Sequence, residues 1–219
     1  MVPRAPELSG PASSAITHRV SNPFERRPLL VAIAGPNGAG KSTFYQARLR
    51  DQLGLAFVNA DEIAREHHID PYTAAEVADR TRREHLRMRE SFVFETVFSD
   101  PEGAKLDFLL EAVESGYHVV LCFIALADAE ESDQRVAMRV LQGGHDVPFA
   151  KLKARFPRSV HNLHRALAEL PHVIVYDNSG FDCPYREMVR VVDHALISLN
   201  EPLPAWLVLP ASLRGPRPT

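Results

Sequence analysis

The segment Gly35-Pro36-Asn37-Gly38-Ala39-Gly40-Lys41-Ser42-Thr43 constrains this chain more than any other. It fits the pattern G-x-x-x-x-G-K-[ST], and its flanks are those the pattern requires. Ahead of it, Leu29-Leu30-Val31-Ala32-Ile33-Ala34 is an apolar run that reads as a buried strand. Behind it, Lys41 to Leu53 reads as a helix, with Phe44, Ala47 and Leu49 among polar neighbours. Glycines let the backbone turn so that successive N–H groups converge on an anion. The helix start adds the positive end of its dipole, Lys41 a mobile cation and Ser42 a hydroxyl suited to Mg²⁺. Residues Gly35 to Thr43 are therefore expected to cradle the phosphates of a nucleoside triphosphate.

The rest of the chain alternates short apolar runs with helical stretches. Leu55 to Asn59 reads as a second strand, leading into a helix near Asp61. Asp70-Pro71 is a helix start, and Tyr72 to Glu90 has no breaker. Its mixed charges leave two readings open: a solvated helix, or a basic face turned toward an anionic substrate. Ser91 to Thr96 is a third strand, ending in a carboxylate and a hydroxyl. Asp100-Pro101 opens another helix, which Gly116 ends. His118 to Leu126 is a central buried strand and Asp128 to Gln142 a helix. The loop Gly143-Gly144-His145-Asp146-Val147-Pro148 breaks it. A helical stretch broken at Pro157 follows, Phe149 to Leu170. Val173 to Asp177 is the last strand, and Pro184 starts a final helix to about Leu199. The pattern predicts an α/β fold, a P-loop three-layer sandwich with a mostly parallel sheet of about five strands and a helical lid. Residues 1–26 read as a flexible arm, 27–200 as the P-loop domain and 201–219 as a proline-rich tail in which Trp206 packs as a strap.

At 219 residues, with 45% hydrophobic and 24% charged residues, the composition is that of an ordinary globular chain. A net charge of -3 and a pI near 6.4 give no reason to expect nucleic acid or an acidic membrane as partner. The longest apolar run, Val119 to Ala127, is far short of the roughly 20 residues that span a bilayer. Two cysteines are too few for a disulfide framework, and no signal peptide is evident, so a cytoplasmic location is expected.

Ligands in open parallel sheets bind at the carboxyl ends of the strands. There lie the P-loop, Asn59 to Asp61, and Glu95 to Ser99. Three features favour a small-molecule kinase. A guanine-reading Asn-Lys-x-Asp segment is absent, arginines flank the Gly-Gly loop as in a basic lid, and Asp61 can accept a proton from an attacking hydroxyl. Each has an alternative: Asp61 as a helix cap, Glu95 as a structural strand-end carboxylate, and some of the arginines as surface residues. Two other readings stay open: another phosphotransferase of similar build, acting on a nucleoside, small alcohol or nucleic-acid end, and a nucleotide-gated binding protein that uses helix 72–90 and the Trp206 tail as its surface.

The P-loop, Val58-Asn59-Ala60-Asp61-Glu62-Ile63-Ala64, Phe94-Glu95-Thr96 and above all Arg139-Val140-Leu141-Gln142-Gly143-Gly144-His145-Asp146-Val147-Pro148 resemble the zeta-toxin family over residues 28 to 180, most closely its stand-alone branch. The resemblance implies an ATP-dependent, Mg²⁺-dependent kinase acting on a hydroxyl of a UDP-amino-sugar such as UDP-N-acetylglucosamine, restrained by a separate antitoxin. It implies Asp61 as general base, Lys41 as phosphate-binding lysine and Ser42 as Mg²⁺ ligand. Glu95, beside Thr96, corresponds to an acid near the sugar, and Arg139 to the first lid arginine. At the second lid position the chain carries His145, with Arg155 and Arg158 as other sources of that charge; a neutral-pH histidine is not a fixed cation.

Overall fold

Every residue of β1 (Leu29–Ala34) is buried, and its side chains divide by parity. Leu30, Ala32 and Ala34 join one core cluster. Leu29, Val31 and Ile33 join a second on the other face of the sheet. Alternation across a strand with both faces covered is why such strands read as unbroken apolar runs. In this computed structural model, which describes residues 22–141, 147–180 and 182–214, β1 is the middle of the parallel part of the sheet. It is flanked by β3 (Phe92–Thr96) and β4 (His118–Ala125), with β2 (Ala56–Val58) beyond β3 and β5 (Val173–Asp177) beyond β4. All five run parallel, so their carboxyl ends share one edge.

The P-loop leads into α1 (Lys41–Phe44), which continues through a π-helical segment, Tyr45–Leu49, into α2 (Arg50–Leu53). Next come α3 (Ala60–His67), α4 (Pro71–Met88), α5 (Ala104–Glu114), α6 (Ala129–Leu141) and α7 (Phe149–Glu169). Phe44, Tyr45 and Leu49 cover one face of the sheet; Ala78 of α4 and Leu106, Leu109 and Ala112 of α5 cover the other. Among the described residues no helix is long and apolar enough to cross a membrane.

Four expectations are corrected. The sheet has seven strands in the order β2-β3-β1-β4-β5-β6-β7. The helix expected from Pro184 to Leu199 is instead an antiparallel hairpin of β6 (Arg186–Val192) and β7 (Ala195–Leu199). Val189, Val191 and Val192 favour a strand there. Asp193 and His194, at φ 49° and 61°, make a tight turn with both central residues in the left-handed region. Pro157 does not break its helix: α7 runs unbroken through it. The ring lies on the exposed side, as does Lys153, whose carbonyl loses its donor, while Leu152, Phe156, Val160 and Leu163 anchor the opposite side. Finally, the helix after Asp100-Pro101 begins only at Ala104, capped by Gly103.

The tail packs on the body without regular strands. Leu207, Leu209 and Leu213 are buried in the first core cluster, and Trp206 Nε1 donates to Ala127 O at 2.9 Å.

Candidate active site

The P-loop closes on itself before any ligand arrives. Gly38 and Gly40 adopt φ of 74° and 82°, a region that side chains rarely enter. At Gly40 a Cβ would meet Asn178 Nδ2 and Tyr185 Oη, each at 2.8 Å. Those groups hold the loop from behind: Asn178 Nδ2 donates to Ala39 O at 2.9 Å and Tyr185 Oη to Gly40 O at 3.0 Å. From the α6 side, Ser132 Oγ donates to Asn37 O at 2.7 Å. The donors are thereby left to face the strand ends, where the first-turn N–H groups of α1 have no intrahelical partners.

Lys41 lies in a buried site and donates to Pro36 O at 3.0 Å. Its Nζ is 3.7 Å from Glu95 Oε1. Burial pushes its ammonium down from the ordinary lysine value; the charges of Glu95 and Asp61 pull it back up, and Arg139 adds to the depression. Lys41, Glu95, Asp61 and Arg139 thus share one electrostatic neighbourhood. Glu95 also accepts from Ser42 Oγ at 2.7 Å and from Asn59 Nδ2 at 3.0 Å. The carboxylate expected near the sugar is therefore bonded to the P-loop serine and lysine, while its strand end also borders the neighbouring cleft.

Asn59 separates the two readings of Asp61. The cap of α3 is Asn59, whose Oδ1 accepts from Asp61 N at 2.8 Å and Glu62 N at 3.4 Å. The Asp61 carboxylate is not needed for capping and lines two adjoining cavities instead. The first, of about 560 Å³, also touches Asn37, Tyr72, Arg139, Lys151 and Arg155. The second, of about 260 Å³, is lined by Asp61 together with Glu95, Thr96, Arg82, Lys105 and Arg155.

Of the α7 arginines, the structure brings Arg155 to both cavities and not Arg158. Arg158 Nε donates back to Ala154 O at 2.9 Å and lines neither. Arg135, one turn from Arg139, pairs with Glu131 at 2.8 Å and donates to Asn178 O at 2.6 Å, a structural brace. His145 lies outside the described residues. Thr96 lines the smaller cavity and its Oγ1 accepts from Phe98 N at 3.1 Å.

The strand end Glu95 to Ser99, expected to border the ligand, leads into a loop that α7 builds. Phe98 is left-handed at φ 59°, and α7 clamps the turn around it. Ser159 Oγ donates to Val97 O at 2.5 Å. Asn162 Nδ2 donates to Phe98 O at 3.1 Å and Asp100 O at 3.0 Å. Both clamping side chains are buried. The helix that presents Arg155 therefore also fixes the floor of the smaller cavity.

The residues present fit MgATP. The loop is a concave set of glycines and helix-start donors, and Ser42 Oγ with Glu95 Oε2 forms an oxygen pair of the kind Mg²⁺ selects. Asn37 Oδ1, at the loop's edge, is buried without a partner among the described residues.

Sheet order, glycine loop and converging charges define an α/β protein of the P-loop class. The sequence profile of the Zeta toxin family matches residues 13–189, and the chain belongs to that family. Among solved structures, the fold is similar to a chain of the AvrRxo1-ORF1:-ORF2 complex solved with ATP. Identity there is 19% and the TM-score 0.60, covering 78% of this chain and 60% of that one. It is also similar to a chain of the PezAT chromosomal toxin-antitoxin system of Streptococcus pneumoniae: 17% identity, TM-score 0.53 and 69% coverage of each. The Pnkp1/Rnl/Hen1 RNA repair complex contributes another fold match, with 18% identity, a TM-score of 0.53, and coverage of 64% of this chain and 46% of that one. The chain thus spans about 60% of the length of the AvrRxo1 chain it matches. No curated protein matches the chain significantly in sequence.

Proposed function

We propose that the protein is an ATP-dependent kinase that phosphorylates a hydroxyl of a UDP-amino-sugar such as UDP-N-acetylglucosamine. The observation that carries this reading is the placement of Asp61. Released from capping by Asn59, it lines both cavities and lies within electrostatic reach of Lys41. Membership of the Zeta toxin family supports the phosphotransferase class, and the sugar acceptor is proposed from the resemblance of the motifs around Asp61 and Glu95.

MgATP, when bound, would supply the γ-phosphoryl group and the divalent charge that offsets its oxygens. Gly35, Pro36, Asn37, Gly38, Ala39, Gly40 and Thr43 frame the triphosphate cradle. Lys41 would hold the phosphates from a buried site, where its charge is poorly screened. Ser42 and Glu95 are the side chains that would hold Mg²⁺. Asp61 orients an acceptor hydroxyl and takes its proton on a carboxylate oxygen. Arg139 and Arg155 line the larger cavity with Asp61 and would neutralise charge on the transferring phosphoryl group. α6 and α7 on either side of residues 142–146 would act as the lid that keeps water out. A cytoplasmic protein with a separate antitoxin is part of the same proposal, and the toxin-antitoxin description of the PezAT relative supports that partner.

The test is mass spectrometry of purified protein incubated with ATP, Mg²⁺ and a panel of UDP-sugars, nucleosides and RNA ends. A gain of one phosphate on a UDP-amino-sugar is expected. Phosphate appearing only on nucleosides or RNA would replace the acceptor, and ATP binding without any product would remove the kinase.

A further inference from the structure

Helix α4 carries a buried cation that phosphoryl transfer leaves unused. Arg82 is 5% exposed, and its guanidinium lies over the Phe94 ring at 5.1 Å. Among the described residues its one hydrogen-bond acceptor is Asp79 Oδ1, at 2.7 Å from Nη2. A guanidinium has five N–H donors, so most of this one's capacity is unspent. Asp79 is shared further: Lys105 Nζ reaches it at 3.1 Å and Arg83 Nε at 3.3 Å. Burial pushes the Asp79 carboxyl up, but hydrogen bonds from Lys105 and Arg82 bring it down to about 2, so it is a full anion. Arg83 also reaches Glu111 at 3.7 Å, whereas among the described residues Asp79 is the one carboxylate that pairs with both Arg82 and Lys105.

The arrangement has a direction. Arg82 and Lys105 line the 260 Å³ cavity and Asp79 does not; Asp79 faces a neighbouring groove, with Lys105 and Arg80. Three acids also line the smaller cavity: Asp61, Glu95 and Asp100. Glu95 is bound to Lys41, Ser42 and Asn59. Both Asp100 carboxylate oxygens are out of solvent contact and have no hydrogen-bond partner among the described residues. Asp61 and Ala75 line both cavities. Arg82 is two turns beyond Ala75 on α4, about 10 Å along the helix. The cavity holds about nine water volumes, room for one sugar-sized group.

We propose that Arg82 and Lys105 form an anion subsite that reads a phosphate or carboxylate on the acceptor, in the same cavity that Asp61 lines. The inference rests on taking the smaller cavity as the acceptor pocket. Guanidinium and ammonium together suit either anion, the first by its planar fork and the second as a point charge. A neutral sugar would leave the Arg82 donors in a largely dry wall without partners, which disfavours it.

The experiment is calorimetric titration of the full chain at low salt, with ADP present to fill the P-loop. The probes are N-acetylglucosamine 1-phosphate, glucuronate and uncharged N-acetylglucosamine. The phosphate or the carboxylate is expected to bind at least tenfold more tightly than the neutral sugar, and the tighter of the two identifies the anion. Lys105→Gln should cut that advantage several-fold. Arg83→Gln, exposed and outside the cavity, should leave it unchanged; Arg82→Gln should remove it, with Lys105→Gln standing in if the buried variant does not fold. Equal affinity for charged and neutral probes, or an unchanged advantage in Lys105→Gln, would overturn the subsite. Sugar phosphorylation without anion preference would sink the subsite alone, whereas anion-selective binding without phosphate transfer would sink the kinase reading alone.

Discussion

Two neighbouring side chains, Asn59 and Asp61, divide the work of one helix start. Because Asn59 satisfies the first donors of α3, Asp61→Asn should leave folding and ATP affinity intact while lowering kcat by 10²-fold or more. Steady-state rates with ATP and acceptor varied in turn would show this. Gly40→Ala belongs to the same scale. The methyl would meet Asn178 and Tyr185 at 2.8 Å in a left-handed backbone, costing about 1–3 kcal/mol and most of the ATP affinity. Denaturation curves and nucleotide titration measure the two effects separately. Much of this was legible in the sequence, since the glycine-lysine pattern names its own residues and their chemistry. Asn59 was legible in principle as well: Asn three residues before Glu62 is a capping pattern. Arg82 was not, because a run of mixed charges does not say which arginine the helix turns inward; that depends on how Phe94 and Asp79 pack beside it.

Among the elements, α7 links the lid to the acceptor floor. Asn162→Ala removes two bonds to the strained loop at Phe98. It should cost about 1–3 kcal/mol of stability and raise the acceptor KM while sparing that for ATP, as paired denaturation and kinetic measurements would show. On α4, Ala75 is exposed where the two Asp61 cavities meet. Ala75→Phe should block acceptor use and leave ATP binding unchanged, read by titration of each ligand. The parallel half of the sheet was readable because its strands are continuous apolar runs. The β6–β7 hairpin was not: its turn is Asp193-His194 rather than a glycine turn, and β7 at the sheet edge alternates exposed with half-buried residues. Pro157 misled for a related reason, since its cost depends on which side of the helix faces water.

On the scale of the whole molecule, folding brings His172 (4% exposed) against His118, ring centroids 4.2 Å apart, at the strand ends opposite the active site. Burial, reinforced by the His118 charge, lowers the His172 pKa to about 4. The unfolded chain takes up that proton near pH 6.5, the folded one only near 4. Stability is therefore fully present above about pH 6.5 and falls as pH drops toward 4, by up to roughly 3 kcal/mol. Chemical denaturation at pH 7 and pH 5 should show the loss, and His172→Gln should flatten it. The account's central claim is that a triphosphate on the P-loop gives its terminal phosphate to a hydroxyl held by Asp61. A ³¹P-NMR time course with ATP, Mg²⁺ and UDP-N-acetylglucosamine tests it. The account predicts a new phosphomonoester signal growing in step with ADP in the wild type and nearly absent in Asp61→Asn. ADP accompanied only by inorganic phosphate, or the same phosphomonoester rate in both proteins, would contradict it.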